Sequence, residues 1–129
     1  MIAGVYNITC QQGSTFSRLL EIEQPDLATD PTGQTYVAYD LSGFTARMQV
    51  RRTIDSSTAL VTLTTENGGL DINPTDEEDK THHIRIYMAD EVTASITSSG
   101  VYDLEIVNAS GEVSRIIQGA FTLSPEVTR

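Results

Sequence analysis

Apolar and polar side chains alternate by two along much of this chain. Between Phe44 and Arg52, Phe44, Ala46, Met48 and Val50 fall on one side, and Thr45, Arg47, Gln49 and Arg51 on the other. That period is what a strand with one buried face requires. The pattern returns at Val101 to Val107, where Tyr102, Leu104 and Ile106 share a face. A short Asn108-Ala109-Ser110-Gly111 segment then leads into a second run, Glu112 to Leu123, rich in β-branched residues. Glycine takes positive φ without steric cost, and Asn and Ser bond their own backbone, so the stretch predicts a hairpin. Gly119, inside the return strand, predicts a bulge.

The remaining elements follow from the same signals. Val5 to Cys10 predicts a short first strand. Thr15 to Glu23 predicts a second, with Phe16, Leu20 and Ile22 inward and Arg18 near the rim. Tyr36 to Asp40 reads as a short edge strand. Leu60 to Thr65, Leu70 to Asn73 and His82 to Met88 complete the set, the last with His82, Ile84, Ile86 and Met88 on one side. Residues 24–35 hold Pro25, Pro31 and Gly33 and read as a loose surface loop, with a binding loop as the alternative. Residues 74–81 read as an acidic loop. Ala89 to Ile96 predicts one helical turn, capped by Asp90, with Val92 and Ile96 four apart on the core side. A tyrosine soon after that crossover, Tyr102, is similar to the tyrosine corner of immunoglobulin-like sandwiches. The expectation is one all-β domain over residues 1–129. It is an immunoglobulin-like antiparallel β-sandwich of about 7–9 strands with one short helical turn.

Charge and composition narrow the function. The chain has 129 residues and a net charge of −10. Such a surface repels phosphate backbones, so nucleic acid is not an expected partner. With no apolar run of about 18 residues, no membrane partner is expected either. The single Cys10 leaves no internal disulfide, and the N-terminus has no secretory pattern. A cytosolic product is expected, which includes particles assembled in a host cytosol.

Candidate chemistry is sparse. Asp71-Ile72-Asn73-Pro74-Thr75-Asp76 begins like a calcium loop, but Asp76 stands where the sharp turn needs Gly, and His82 where a carboxylate closes the site. His82 and His83 are neighbours, and neighbours in a strand point to opposite faces. They are therefore expected not to share an ion, and no zinc site is expected within one chain. Nothing resembles a nucleophile elbow or a phosphate loop. The residues predict no catalytic group, no cofactor, no metal and no enzyme. Arg47 and Arg51 stand out on a polar strand face of an acidic protein. Either they pair with nearby carboxylates, or they meet an acidic neighbour.

One arrangement resembles a known family. Asp40-Leu41-Ser42-Gly43-Phe44-Thr45-Ala46-Arg47, the Gly68-Gly69-Leu70 turn, and a closing hairpin with Gly100, Tyr102-Asp103-Leu104-Glu105, Gly111 and Gly119 are similar to segments of small β-sandwich structural proteins of tailed bacteriophages. The terminal Val127-Thr128-Arg129 is similar too. The resemblance runs from Gln12 onward and rests on turn and core residues. It implies a virion structural protein of the tail, neck or baseplate, of the collar or fibre-anchoring type seen in T5-like phages. Its partners would be other virion proteins, among them tail tube, collar, baseplate or fibre proteins, and further copies of itself. A capsid decoration (cement) protein is the alternative, and a carbohydrate-binding module a more distant one. On this reading Arg47, Arg51, Val127, Thr128 and Arg129 are the assembly contacts.

Overall fold

The computed structural model describes residues 4–75 and 81–128. The central strands form where the alternation is cleanest. β6 (Thr45–Arg51) buries Ala46, Met48 and Val50, and β10 (Gly100–Val107) buries Tyr102, Leu104 and Ile106. The two pair antiparallel, Met48 opposite Leu104. β7 (Val61–Thr64) extends this sheet on one side. β11 (Val113–Ser124) extends it on the other.

β1 (Gly4–Val5) and β2 (Ile8–Gln11) both add to the far edge of β11. They lie parallel to it, with Gly4 opposite Ile117 and Ile8 opposite Phe121. This corrects the expectation of a wholly antiparallel sandwich with one unbroken first strand. The chain breaks step at Tyr6 and Asn7. There the Tyr6 carbonyl accepts the hydroxyl of Tyr102, and Asn7 Oδ1 accepts the Ala120 amide at 3.0 Å.

The second sheet has three strands: β3 (Phe16–Glu21), β9 (His83–Met88) and β8 (Leu70–Ile72), with β9 central. Its inward residues Phe16, Leu70, Ile84, Ile86 and Met88 meet those of the first sheet in one apolar cluster. With six strands in one sheet and three in the other, the sandwich falls within the expected range. The strand order suits an immunoglobulin-like sandwich.

Four local expectations change. The bulge is not at Gly119. Leu104 faces Ile117 while Glu105 faces Arg115, so Ile116 is the extra residue. The shift reverses the strand's parity, burying Ile116 and turning Arg115 outward to Asp103 at 3.3 Å. Gly119 serves a different need: a Cβ there would lie 2.5 Å from the Tyr6 carbonyl oxygen.

The Tyr102 hydroxyl bonds a carbonyl from the other end of the chain, whereas a tyrosine corner bonds a few residues upstream. The helical turn is α1 (Asp90–Ala94), and its N-cap is Ala89, without a side-chain cap. Asp90 is thus the first helical residue. Thr93 fixes the turn instead: its hydroxyl accepts the Gly13 amide at 3.0 Å and donates to Ser14 O at 2.8 Å.

The fourth change concerns residues 24–35, which are not all loop. β4 (Glu23–Pro25) and β5 (Tyr36–Ala38) pair as a separate two-stranded ribbon outside both sheets. Cys10 is fully buried, and burial raises its thiol pKa, which keeps it unreactive. Among the described residues no helix is long and apolar enough to cross a membrane.

Candidate functional site

Among the described residues, the predicted contacts occupy one end and one face of the larger sheet. Arg47 and Arg51 point outward from β6. Cross-strand pairing sets Arg47 opposite Glu105, and its Nε lies 2.8 Å from Glu105 Oε1. Arg51 donates from Nη1 to the Ser56 carbonyl and from Nη2 to Gln49 Oε1, each at 2.8 Å. Both guanidinium groups thus have partners within the chain, Arg47 a carboxylate and Arg51 neutral oxygens.

Arg51 sits opposite Val101, and Phe121 opposite Gly100, so the chain leaves β11 at the Arg51 end of the sheet. There the Glu126 amide donates to Gln12 Oε1 at 2.9 Å. Beyond it Val127 is 92% exposed and Thr128 is exposed. Arg129 lies outside the described residues.

Beside Arg51 the outer face of the sheet forms a concavity of about 580 Å³. Its floor includes Gln49, Asp103 and Gln118, and exposed Val5 and Ile54 rise at its rim. The Arg115–Asp103 pair crosses the floor, leaving it mixed in polarity.

The surface that the alternation did not reveal is the β4–β5 ribbon. Every residue of both strands is exposed, Tyr36 at 59% and Val37 at 43% among them. Leu27, at 62%, lies in the connecting loop. The loop is held from within. Asp30 accepts the Thr32 hydroxyl at 2.5 Å, the Thr32 amide at 3.1 Å and the Thr35 amide at 2.9 Å. Bonds from Thr32 and then Thr35 pull the Asp30 carboxyl down to about 2. The Asp26 amide donates to Thr35 O at 2.8 Å and closes the base. The result is an ordered projection with apolar side chains on its surface. A sequence signal existed in Tyr36-Val37, a β-favouring pair after a Pro- and Gly-containing turn, but the pairing strand Glu23-Gln24-Pro25 carries no strand signal.

The histidines also depart from expectation. β9 begins at His83, so His82 precedes the strand and escapes its alternation. The two rings approach to 4.2 Å between centroids, tilted by 56°. Glu21 joins them: its carboxylate and one nitrogen of each ring lie within 4.8 Å of one another. The expected divergence of His82 and His83 is therefore wrong for this backbone. The acidic stretch of the 74–81 loop, Asp76 to Asp79, lies outside the described residues, and the calcium-loop reading ends with it.

No family model and no curated protein sequence matches the chain. Among solved structures, a chicken TCR crystal structure is similar to it at 10% sequence identity with a TM-score of 0.48. The match covers 96% of this chain and 56% of that one, so the chain spans little more than half its length.

Proposed function

We propose that this protein is a structural component of a tailed-phage virion, in the tail, neck or baseplate, acting through protein–protein contacts. In this reading it assembles in the host cytoplasm, either as a homo-oligomeric ring or as an anchor for fibres. The observation that carries it is the β4–β5 ribbon, an ordered projection that displays Leu27, Tyr36 and Val37 to solvent. Exposed apolar side chains on an ordered element mark interaction surfaces more often than isolated exposed residues do. The sequence resemblance supports the virion assignment, and the immunoglobulin-like frame suits a binding or structural domain rather than an enzyme. Val127, Thr128 and Arg129 remain candidates for a second contact, since an extended segment can add to a neighbour's sheet.

The test is location and dependence. Antibody labelling of particles whose genome encodes this chain is expected to mark the tail or neck. A Leu27→Ser/Tyr36→Ser double variant is expected to keep its melting temperature and fail to enter particles. Label over the head surface would replace this reading with a capsid decoration role. Normal incorporation of the double variant would remove the ribbon from it. Specific binding on a glycan array would favour the carbohydrate-binding alternative.

A further inference from the structure

We propose that Glu21, His82 and His83 form a binding site for a divalent transition-metal cation, with zinc the best match to its donors. The proposal stands apart from any role in a virion. It rests on a buried imidazole that lacks hydrogen-bond partners among the described residues and on the geometry around it.

His83 lies on the outward side of β9, in step with Arg85 and Tyr87, yet it is only 2% exposed. Neither of its ring nitrogens has a hydrogen-bond partner among the described residues, and neither does His82 Nδ1. Buried imidazole nitrogens are ordinarily bonded, and unpaired ones are costly. Glu21 stands directly across the strand pair. Its Oε1 lies 3.5 Å from His83 Nε2. That is too long for a charge-assisted hydrogen bond, which falls near 2.8 Å. It matches the distance between two ligands of a tetrahedral zinc, about 3.4 Å when each bond is about 2.1 Å.

The backbone holds this arrangement in place. The Ile22 amide, next to Glu21, donates to His82 O at 2.7 Å. The Asn73 amide donates to His83 O at 2.8 Å, and the His83 amide donates to Asn73 Oδ1 at 3.1 Å. All three donors thus hang from paired backbone and are largely pre-positioned.

Donor chemistry selects the ion. Two imidazole nitrogens and one carboxylate oxygen suit zinc and its neighbours, whereas calcium and magnesium prefer all-oxygen sites. Three protein ligands leave a fourth position. The Glu21 side chain is 63% exposed, so the Glu21 side of the cluster is reachable by water or by a donor from another molecule to complete the set.

The test uses the intact chain stripped of metal by chelator and dialysis. Titration with zinc chloride against a chromophoric competitor is expected to give one tight equivalent per chain and a higher melting temperature. Cobalt(II) is expected to give the visible absorption of a tetrahedral site. Glu21→Gln and His82→Ala alter the less buried ligands, and their metal-free melting curves report folding directly. Each is expected to weaken zinc about tenfold or more. The proposal is overturned if the native chain takes up no stoichiometric zinc, or if both variants bind it as the native chain does.

Discussion

The hydroxyl of Tyr102 donates to the backbone carbonyl of Tyr6, 96 positions earlier in the chain. That bond fastens the crossing between β1 and β2 to the central strand β10. Tyr102 is 4% exposed, so its hydroxyl bond forms away from bulk water. Tyr102→Phe keeps the ring and removes the donor. It is expected to lose about 1–2 kcal/mol in denaturant unfolding with the fold unchanged.

The same phenol carries a pH dependence. Burial, and then the nearby Tyr6, raise the Tyr102 pKa above the ordinary tyrosine value. In the unfolded chain the phenol ionises near pH 10, while in the folded chain it stays neutral. Its contribution is therefore complete below pH 10 and declines as pH rises above it. Unfolding measured from pH 8 to 11 is expected to show that decline, and Tyr102→Phe to flatten it.

Thr93 is a buried polar residue on a five-residue helix. Its hydroxyl is the acceptor for Gly13 N–H and the donor to Ser14 O. Thr93→Val has nearly the same shape and strands both backbone groups. A loss of about 1–3 kcal/mol is expected by thermal or chemical unfolding.

Two glycines of the first sheet make a matched pair. At Gly119 a Cβ would lie 2.5 Å from the Tyr6 carbonyl oxygen, while at Gly4 the nearest atom would be 3.8 Å away. Gly119→Ala is expected to cost about 1–3 kcal/mol as β1–β2 is pushed off the sheet. Gly4→Ala is expected to stay within about 0.5 kcal/mol of the native chain. Unfolding midpoints compared side by side check the contrast.

Asp30 offers a local titration. Its carboxyl is held at about 2 by Thr32 and Thr35, below the ordinary aspartate value. The stabilisation is therefore present above pH 4 and lost as pH falls towards 2. The bonds that hold the carboxyl all come from Thr32 and Thr35, so the effect belongs to the 26–35 loop rather than to the whole fold. NMR titration is expected to show a low carboxyl midpoint, with the Thr32 and Thr35 amides moving in step.

The legible parts of this fold were those where burial on one face leaves a period of two. β6 and β10 follow their alternation residue by residue. β9 follows it from Ile84 onward and departs at His83, where an outward residue is buried. What alternation misses has other causes. Glu23-Gln24-Pro25 is wholly exposed in its strand, so no hydrophobic pattern marks it. The parallel docking of β1 and β2 is decided by a partner more than a hundred residues away. Gly119 signalled something unusual in its strand, but close approach of a second backbone and a bulge leave the same mark in a sequence. Of the contact residues, Arg47 met the carboxylate that a paired strand face offers, while Val127 stayed exposed. The His82–His83 pair escapes strand alternation because the strand begins one residue later, at His83.

The docking of β2 against β11 also sets the order of events during synthesis. Ile8 and Cys10 belong to the core, but the strand that holds them pairs with Phe121 to Ser124. A nascent chain carries that early strand without its mate until Phe121 to Ser124, more than a hundred residues later, emerge from the ribosome. Until then the larger sheet stays open at its N-terminal edge, and it closes around the hairpin of β10 and β11.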